Sequence, residues 1–343
     1  MKLTISRYAA ISLLCMAFAV TASAASWRIH HNAKQLADFN NINAAVASDL
    51  VQDGDTLYLD PGCLLTAAQT VTKQLTIIGC GYEGVSQPYA YATISGALNL
   101  QAAGIKVMSA IISGVVTIKA SDITIERCRI NSQITNSSTC TNATIRQCYF
   151  TNSNYNECIV GPGSTTVSNW TIENCIIDNI NNRNVITGLH NATIRNNLII
   201  GKSSNNSSGA FYMIRYMGTC QITNNIIIDT ADATRVFESN INTEQTTNNV
   251  ISQDISGEYN RANVLTLDSI YTGDIQSYTL KEDSPAKGYA TDGGDCGPFG
   301  GLYPYVKGGR PFGHPYYTEV KVASMPDEND KLKVSLKIKM NDE

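Results

Sequence analysis

Charged side chains fill only 16% of this 343-residue chain, which has just four histidines and two tryptophans. Basic residues number 25 against 29 acidic ones, so the chain lacks the basic face on which nucleic-acid binding depends. The histidines do not cluster. His30 and His31 precede the patterned part of the chain, His314 follows it, and His190 stands alone in Gly188-Leu189-His190-Asn191. That spacing assembles no His-based metal site and no nucleophilic triad, and each histidine reads as a solvated turn residue. Beyond residue 20 no apolar run approaches the ~20 residues of a bilayer-spanning helix. Gly79, Gly81 and Gly84 follow the strand-like Leu75-Thr76-Ile77-Ile78, but no helical pattern comes after them, which sets aside a phosphate cradle.

The first 24 residues form an export signal: Lys2 and Arg7, a short apolar core from Ala9 to Val20, and the small-residue site Ala22-Ser23-Ala24. Cleavage is expected after Ala24, with a secreted, periplasmic or cell-surface destination. Ser12-Leu13-Leu14 ahead of Cys15 lacks the small residues of a lipidation site. Nine of the ten cysteines remain after cleavage. An odd count rules out complete internal pairing, although an exported chain permits disulfides. Cys63 and Cys80 flank one early segment and are the expected pair if any forms.

What the chain does have is a repeated phrase. Ala192-Thr193-Ile194-Arg195-Asn196-Asn197-Leu198-Ile199-Ile200 returns with drift around Cys128, Cys148, Cys175, Asn225 and Asn249. In register, one column reads Cys128, Cys148, Cys175, Asn197, Asn225, Asn249, with steps of 20, 27, 22, 28 and 24 residues. Three positions earlier stand Ile125, Ile145, Ile172, Ile194, Ile222 and Thr246; two positions later stand Ile130, Phe150, Ile177, Ile199, Ile227 and Ile251. Fixed spacing around a turn and variable spacing elsewhere describe stacked β coils with loops of different lengths. The asparagines suit tight left-handed turns and can bond along the column. The three cysteines are read as small buried thiols in the same structural ladder.

Around the repeats, residues 40–50 predict the only substantial helix, with Phe39, Ile42, Val46 and Leu50 on one face and Asn40 or Asn41 as its cap. It is expected to lie over the open end of the stack. Ser284-Pro285-Ala286 and Asp292-Gly293-Gly294-Asp295-Cys296-Gly297-Pro298 mark the end of the array. A Gly/Pro/Tyr-rich cap or linker follows, and then a tail whose Leu332, Val334, Leu336, Ile338 and Met340 alternate with lysines as in a β-hairpin. The expected divisions are a signal peptide (1–24), an N-terminal segment with the helix (25–52), the coils (53–301), the cap or linker (302–318) and the tail (319–343).

These features resemble the right-handed parallel β-helix proteins of the pectate-lyase-like superfamily, above all the secreted β-helix proteins of Bacteroidetes. The resemblance rests on the coil around Asp53 to Gly62, the Leu75 to Gly84 stretch, the Asn196-Asn197 type turns and Asp295-Cys296-Gly297-Pro298-Phe299-Gly300-Gly301, and covers about residues 40–305. It implies an all-β, right-handed parallel β-helix with an N-terminal capping helix and a C-terminal β-hairpin. It places Asn174, Asn196, Asn224 and Asn248 at the turn between the second and third sheets. It assigns residues 157–160, 183–187, 210–215 and 234–238 to the first sheet, over which the enzymes of this superfamily hold their substrates.

On that sheet the polar candidates are Glu157, Arg183, Tyr212, Arg215, Arg235 and Glu238. Arginines on successive coils suit an anionic sugar, and tyrosine rings suit sugar faces; the chain has 17 tyrosines. Three functions follow from the resemblance and these residues. The first is binding of a polysaccharide or glycan along the first sheet. The second is a polyuronate lyase, which would use Ca²⁺ on carboxylates such as Asp178, Asp229 and Asp232 and cations such as Arg183, Arg215 and Arg235 at the proton-removal step. The third is a structural or adhesive surface protein, with the tail hairpin docking on a partner or on the end of the solenoid. The pectin hydrolases of the fold use clustered Asp residues and an Arg-x-Lys segment. This chain has neither an adjacent Asp pair nor that segment.

Overall fold

The computed structural model describes residues 24–83, 91–137, 140–151, 157–179, 183–206, 209–231, 235–238, 241, 245–253, 260–262, 264, 266–272, 279–313, 315–326 and 329–340. Short parallel strands stack into three long sheets, of seven, ten and nine strands, which form a parallel β-solenoid. Each central coil contributes one strand to each sheet. In the central coils the order is first sheet (Ile134–Asn136), second sheet (Thr144–Arg146), tight turn, third sheet (Tyr149–Thr151). Strands of two to four residues suffice because each is paired on both sides and lends one or two side chains to a shared interior. Ile125, Ile145, Ile172, Ile194 and Ile222 of the second sheet are fully buried, as are Ile130, Phe150, Ile177, Ile199, Ile227 and Ile251 of the third. They belong to one continuous core that runs the length of the stack.

The turn between second and third sheets repeats one backbone device. Ser109, Arg127, Gln147, Asn174, Asn196, Asn224 and Asn248 all adopt positive φ, between 52° and 61°. The next residue then points inward, which produces the column seen in the sequence. Asn197 Nδ2 donates to Asn225 Oδ1, Asn225 Nδ2 to Asn249 Oδ1 and Asn249 Nδ2 to Asn260 Oδ1, each at 2.9 Å. The same Oδ1 atoms accept the backbone N–H of Asn197, Asn225 and Asn249, and Asn197 Oδ1 accepts that of Cys175. Further along, the thiols of Cys128, Cys148 and Cys175 donate to the carbonyls of Val107, Ile125 and Ile145. A second, exposed ladder follows the turn between first and second sheets, where Asn142, Asn169 and Asn191 each donate to Asp122, Asn142 and Asn169 in turn.

Four sequence expectations need correction. The helix is shorter than residues 40–50, spanning Ile42–Ala47 with Asn41 as its N-cap; Ser48 is already extended and Leu50 is exposed. Asn43 explains its position, because its side chain accepts from Thr70 N–H and donates to the Ala68 carbonyl, thereby pairing with the outermost strand of the first sheet. The coils also begin earlier than residue 53: Ser26–Ile29 is the first strand of the second sheet and pairs in parallel with Thr56–Leu59. His30, next to it, is buried rather than solvated. Finally, Cys63 and Cys80 do not pair; all nine described cysteines are free thiols. Burial pushes the Cys80 thiol up to about 12, which withholds the thiolate that disulfide exchange requires.

The C-terminal chain does more than close the end. From residue 289 to 312 it runs back along the turn column toward the first coils. The side-chain amides of Asn248 and Asn174 donate to the carbonyls of Tyr289 and Pro298, at 2.9 Å each. Asn224 exchanges hydrogen bonds with Thr291, Tyr82 N–H donates to Gly308 O, and Arg310 reaches the Glu83 carbonyl. Gly309, at φ 59°, sits where a Cβ would lie 2.2 Å from the Tyr82 ring, so this crossing admits no side chain. The strap and the preceding segment cover the outer face of the third sheet. There Ile176, Leu198, Ile200, Ile226, Ile228 and Val250 pack against Ile270, Tyr271, Ala286, Ala290, Cys296 and Tyr305 as a second core.

Candidate functional site

With the third sheet covered, the first and second sheets keep outward faces. On the second sheet Glu126, Arg146, Glu173 and Arg195 stand in register on successive strands. They form an alternating ladder, with Arg146 3.2 Å from Glu126 and Arg195 2.7 Å from Glu173. Their charges are used against one another, and Arg146 also lies under the ring of Tyr303 from the strap. These four charges are paired within the sheet.

The first sheet is different. Its strands present one outward column: Thr70, Asn99, Thr117, Thr135, Val160, Thr187 and Arg215. At strand spacing this row is about 29 Å long. It is polar along most of its length and uncharged until it reaches Arg215. The bridge between Ile214 and Phe237 carries the column on to Glu238. Arg215 Nε donates to Glu238 Oε1 at 3.1 Å, and the other carboxylate oxygen accepts Tyr216 N–H at 2.9 Å.

Around that pair gather five more side chains. The Arg215 guanidinium lies 4.1 Å from the centroid of the Tyr216 ring and 5.7 Å from that of Tyr212. Arg235 approaches the Tyr212 ring at 5.9 Å, and Arg183 approaches Phe211 at 4.9 Å. The strand register, continued ahead of the strands, puts Glu157, Asn184, Tyr212 and Arg235 in one column, and Asn184 Oδ1 accepts Tyr212 N–H at 3.0 Å. The structure therefore brings Arg183, Tyr212, Arg215, Arg235 and Glu238 to one end of the first sheet. Glu157 stands two coils away in the register column of Tyr212. Asn184 and Phe211 were missed from sequence, although their place one register step from named residues was the available signal.

The carboxylates considered for Ca²⁺ do not share a site. Asp178 lies beside Ile200 in the register of the third sheet, whereas Asp229 aligns with Gly201 and Asn179 in the neighbouring column. Asp229 is buried, and its oxygens accept from Ser203 N–H, the Ser203 hydroxyl and Ala231 N–H, which makes it the anchor of a loop. Asp178 is held above the usual carboxylate range by burial alone. Asp232 lies outside the described residues. Among the described residues, no three His, Cys, Asp or Glu side chains are grouped to hold a metal ion, so those residues do not fit the Ca²⁺ expectation. His190 is likewise no ligand; its Nδ1 bonds the Ser164 carbonyl at 2.6 Å and fastens a turn.

A cleft of about 450 Å³ opens elsewhere, lined by Tyr271, Glu282, Lys287, Asp295, Cys296 and Phe299, and takes in none of the first-sheet residues. Among the described residues no helix is long and apolar enough to cross a membrane. Searches against protein-family models, curated proteins and solved structures find no match.

Proposed function

We propose that the chain is an exported, right-handed parallel β-helix of the pectate-lyase-like kind that binds an acidic polysaccharide along its first sheet. In this reading the helix Ile42–Ala47 closes the first coil. The observation that carries the proposal is the cluster at the end of the first-sheet row, where Arg215 and Arg235 flank the ring of Tyr212. Hydroxyls and an amide on Thr70, Asn99, Thr117 and Thr135 match the donor and acceptor pattern of a sugar chain. Guanidinium groups suit a carboxylate or sulfate on it, and tyrosine faces suit the apolar side of a pyranose. The Arg215–Glu238 bond fixes the guanidinium before ligand arrives, which lowers the ordering cost of binding.

The test is titration calorimetry of the mature chain against neutral, uronate-rich and sulfated polysaccharides at low and high salt. Binding should be confined to the acidic chains, weaken as salt rises, and fall at least about 10-fold in Arg215→Ala and in Tyr212→Ala. Equal binding of neutral and acidic chains, or binding untouched by both substitutions, would sink the proposal. Following ultraviolet absorbance in the uronate samples, with Ca²⁺ and then chelator, tests the polyuronate lyase; a chelator-sensitive rise would replace simple binding by β-elimination.

A further inference from the structure

The tail of the chain is a two-stranded antiparallel hairpin, Pro315–Val322 with Val334–Met340. Every residue of the second strand is exposed. Alternation puts Val334, Leu336, Ile338 and Met340 on one face and Lys333, Ser335, Lys337 and Lys339 on the other. The apolar residues are 48% exposed at Leu336 and 57% at Ile338, with Val334 and Met340 between them. The register sets Val322 opposite Val334, Val320 opposite Leu336 and Tyr317 opposite Ile338. A lone two-stranded hairpin is marginal in water, and an uncharged apolar stripe on one is a surface that requires a cover.

We propose that the cover is the same face of a second copy, so that two hairpins pack as a four-stranded sandwich and the protein is a twofold dimer. Three features favour this occupant. The face carries no charge on the second strand, so its partner must also be apolar, and a second copy supplies an identical surface about a twofold axis. The lysines lie on the reverse side, where packing leaves them in water and brings no like charges together. The second strand alone offers on the order of 400 Å² of apolar surface, about half of the ~800 Å² that each partner buries in a standard interface, and its paired strand lies alongside it.

Sedimentation equilibrium of the mature chain tests this directly. The wild type should be a dimer at micromolar concentration, and Leu336→Lys/Ile338→Lys should weaken association at least about 100-fold. Lys337→Glu/Lys339→Glu, on the reverse face, should remain dimeric. A wild type that stays monomeric throughout overturns the proposal, as does a dimer that survives the apolar-face double substitution or is lost in the lysine-face one. Flotation with vesicles of phosphatidylethanolamine and phosphatidylglycerol supplies the remaining arm: a monomer that floats would assign the face to lipid.

Discussion

Gln147 and Tyr303 stand 156 residues apart, yet Gln147 Nε2 donates to the Tyr303 carbonyl at 3.3 Å and to the neighbouring Pro304 carbonyl at 2.5 Å. The same glutamine occupies a left-handed turn position, with φ 52°, where later coils carry asparagine. Its longer side chain reaches the strap and also accepts from Arg127 Nε. One residue thus serves the coil and the strap together.

Substituting Gln147 by Ala should destabilise the protein by about 1–3 kcal/mol, because strap carbonyls lose a buried donor. Gln147→Gly should cost less, since glycine relieves the left-handed backbone. Urea denaturation ranks the pair, and hydrogen exchange should show faster opening of residues 298–305 in both. Unchanged exchange there would mean that the strap is held elsewhere.

The asparagine ladder predicts an asymmetry between its two halves. Asn225 is fully buried, and its Oδ1 accepts from both the backbone and the side chain of Asn197. Asn225→Leu should therefore cost about 3 kcal/mol or more, as several buried polar groups are orphaned at once. At Cys175 the change to Asn should be tolerated within about 1 kcal/mol. The new amide would find Asn197 Oδ1 and the Ile145 carbonyl where the thiol now sits. Thermal unfolding of the two variants checks the contrast, and similar losses in both would refute the polarity of the ladder.

Asp178 gives a pH dependence with a definite sign. Its folded pKa is raised above 3.8 by burial, so the folded state holds a proton that the unfolded state has released. Stability contributed by this group is greatest at acid pH and falls as pH rises from 3.8 through the higher folded value. Asp178→Asn should accordingly stabilise the protein at neutral pH, with the advantage shrinking as pH drops toward 4. A difference between the two proteins that is constant with pH would show that the carboxylate is not held protonated by the fold.

The coil architecture was legible because the repeat fixes spacing where the backbone is most constrained. Ile145, Cys148 and Phe150 keep their intervals from coil to coil, and so the core columns could be read directly. The first-sheet cluster was legible only as a set of names: Arg215, Arg235 and Tyr212 follow loops of unequal length, so their meeting depends on register between strands and not on sequence interval. The strap left no such trace. Gln147 with Tyr303 and Tyr82 with Tyr305 are single long-range contacts without period. Ser26–Ile29 was missed because one strand ahead of the repeats has no phrase to match, and the helix was overextended because its apolar face continues past Ser48, where the backbone does not.

Coil arrays can ordinarily lengthen by duplication, since each unit touches only its neighbours. Here the returning segment acts as a ruler. It leaves the stack at Asn248 and must arrive at Glu83 with its contacts in step. A coil inserted between those points would add about 4.8 Å to the path, and the segment would need extra residues to keep both ends in place. The number of coils is therefore tied to the length of a chain segment that belongs to none of them. The first coils can stack on their own, but their fastening waits until the chain as far as Arg310 has returned to them.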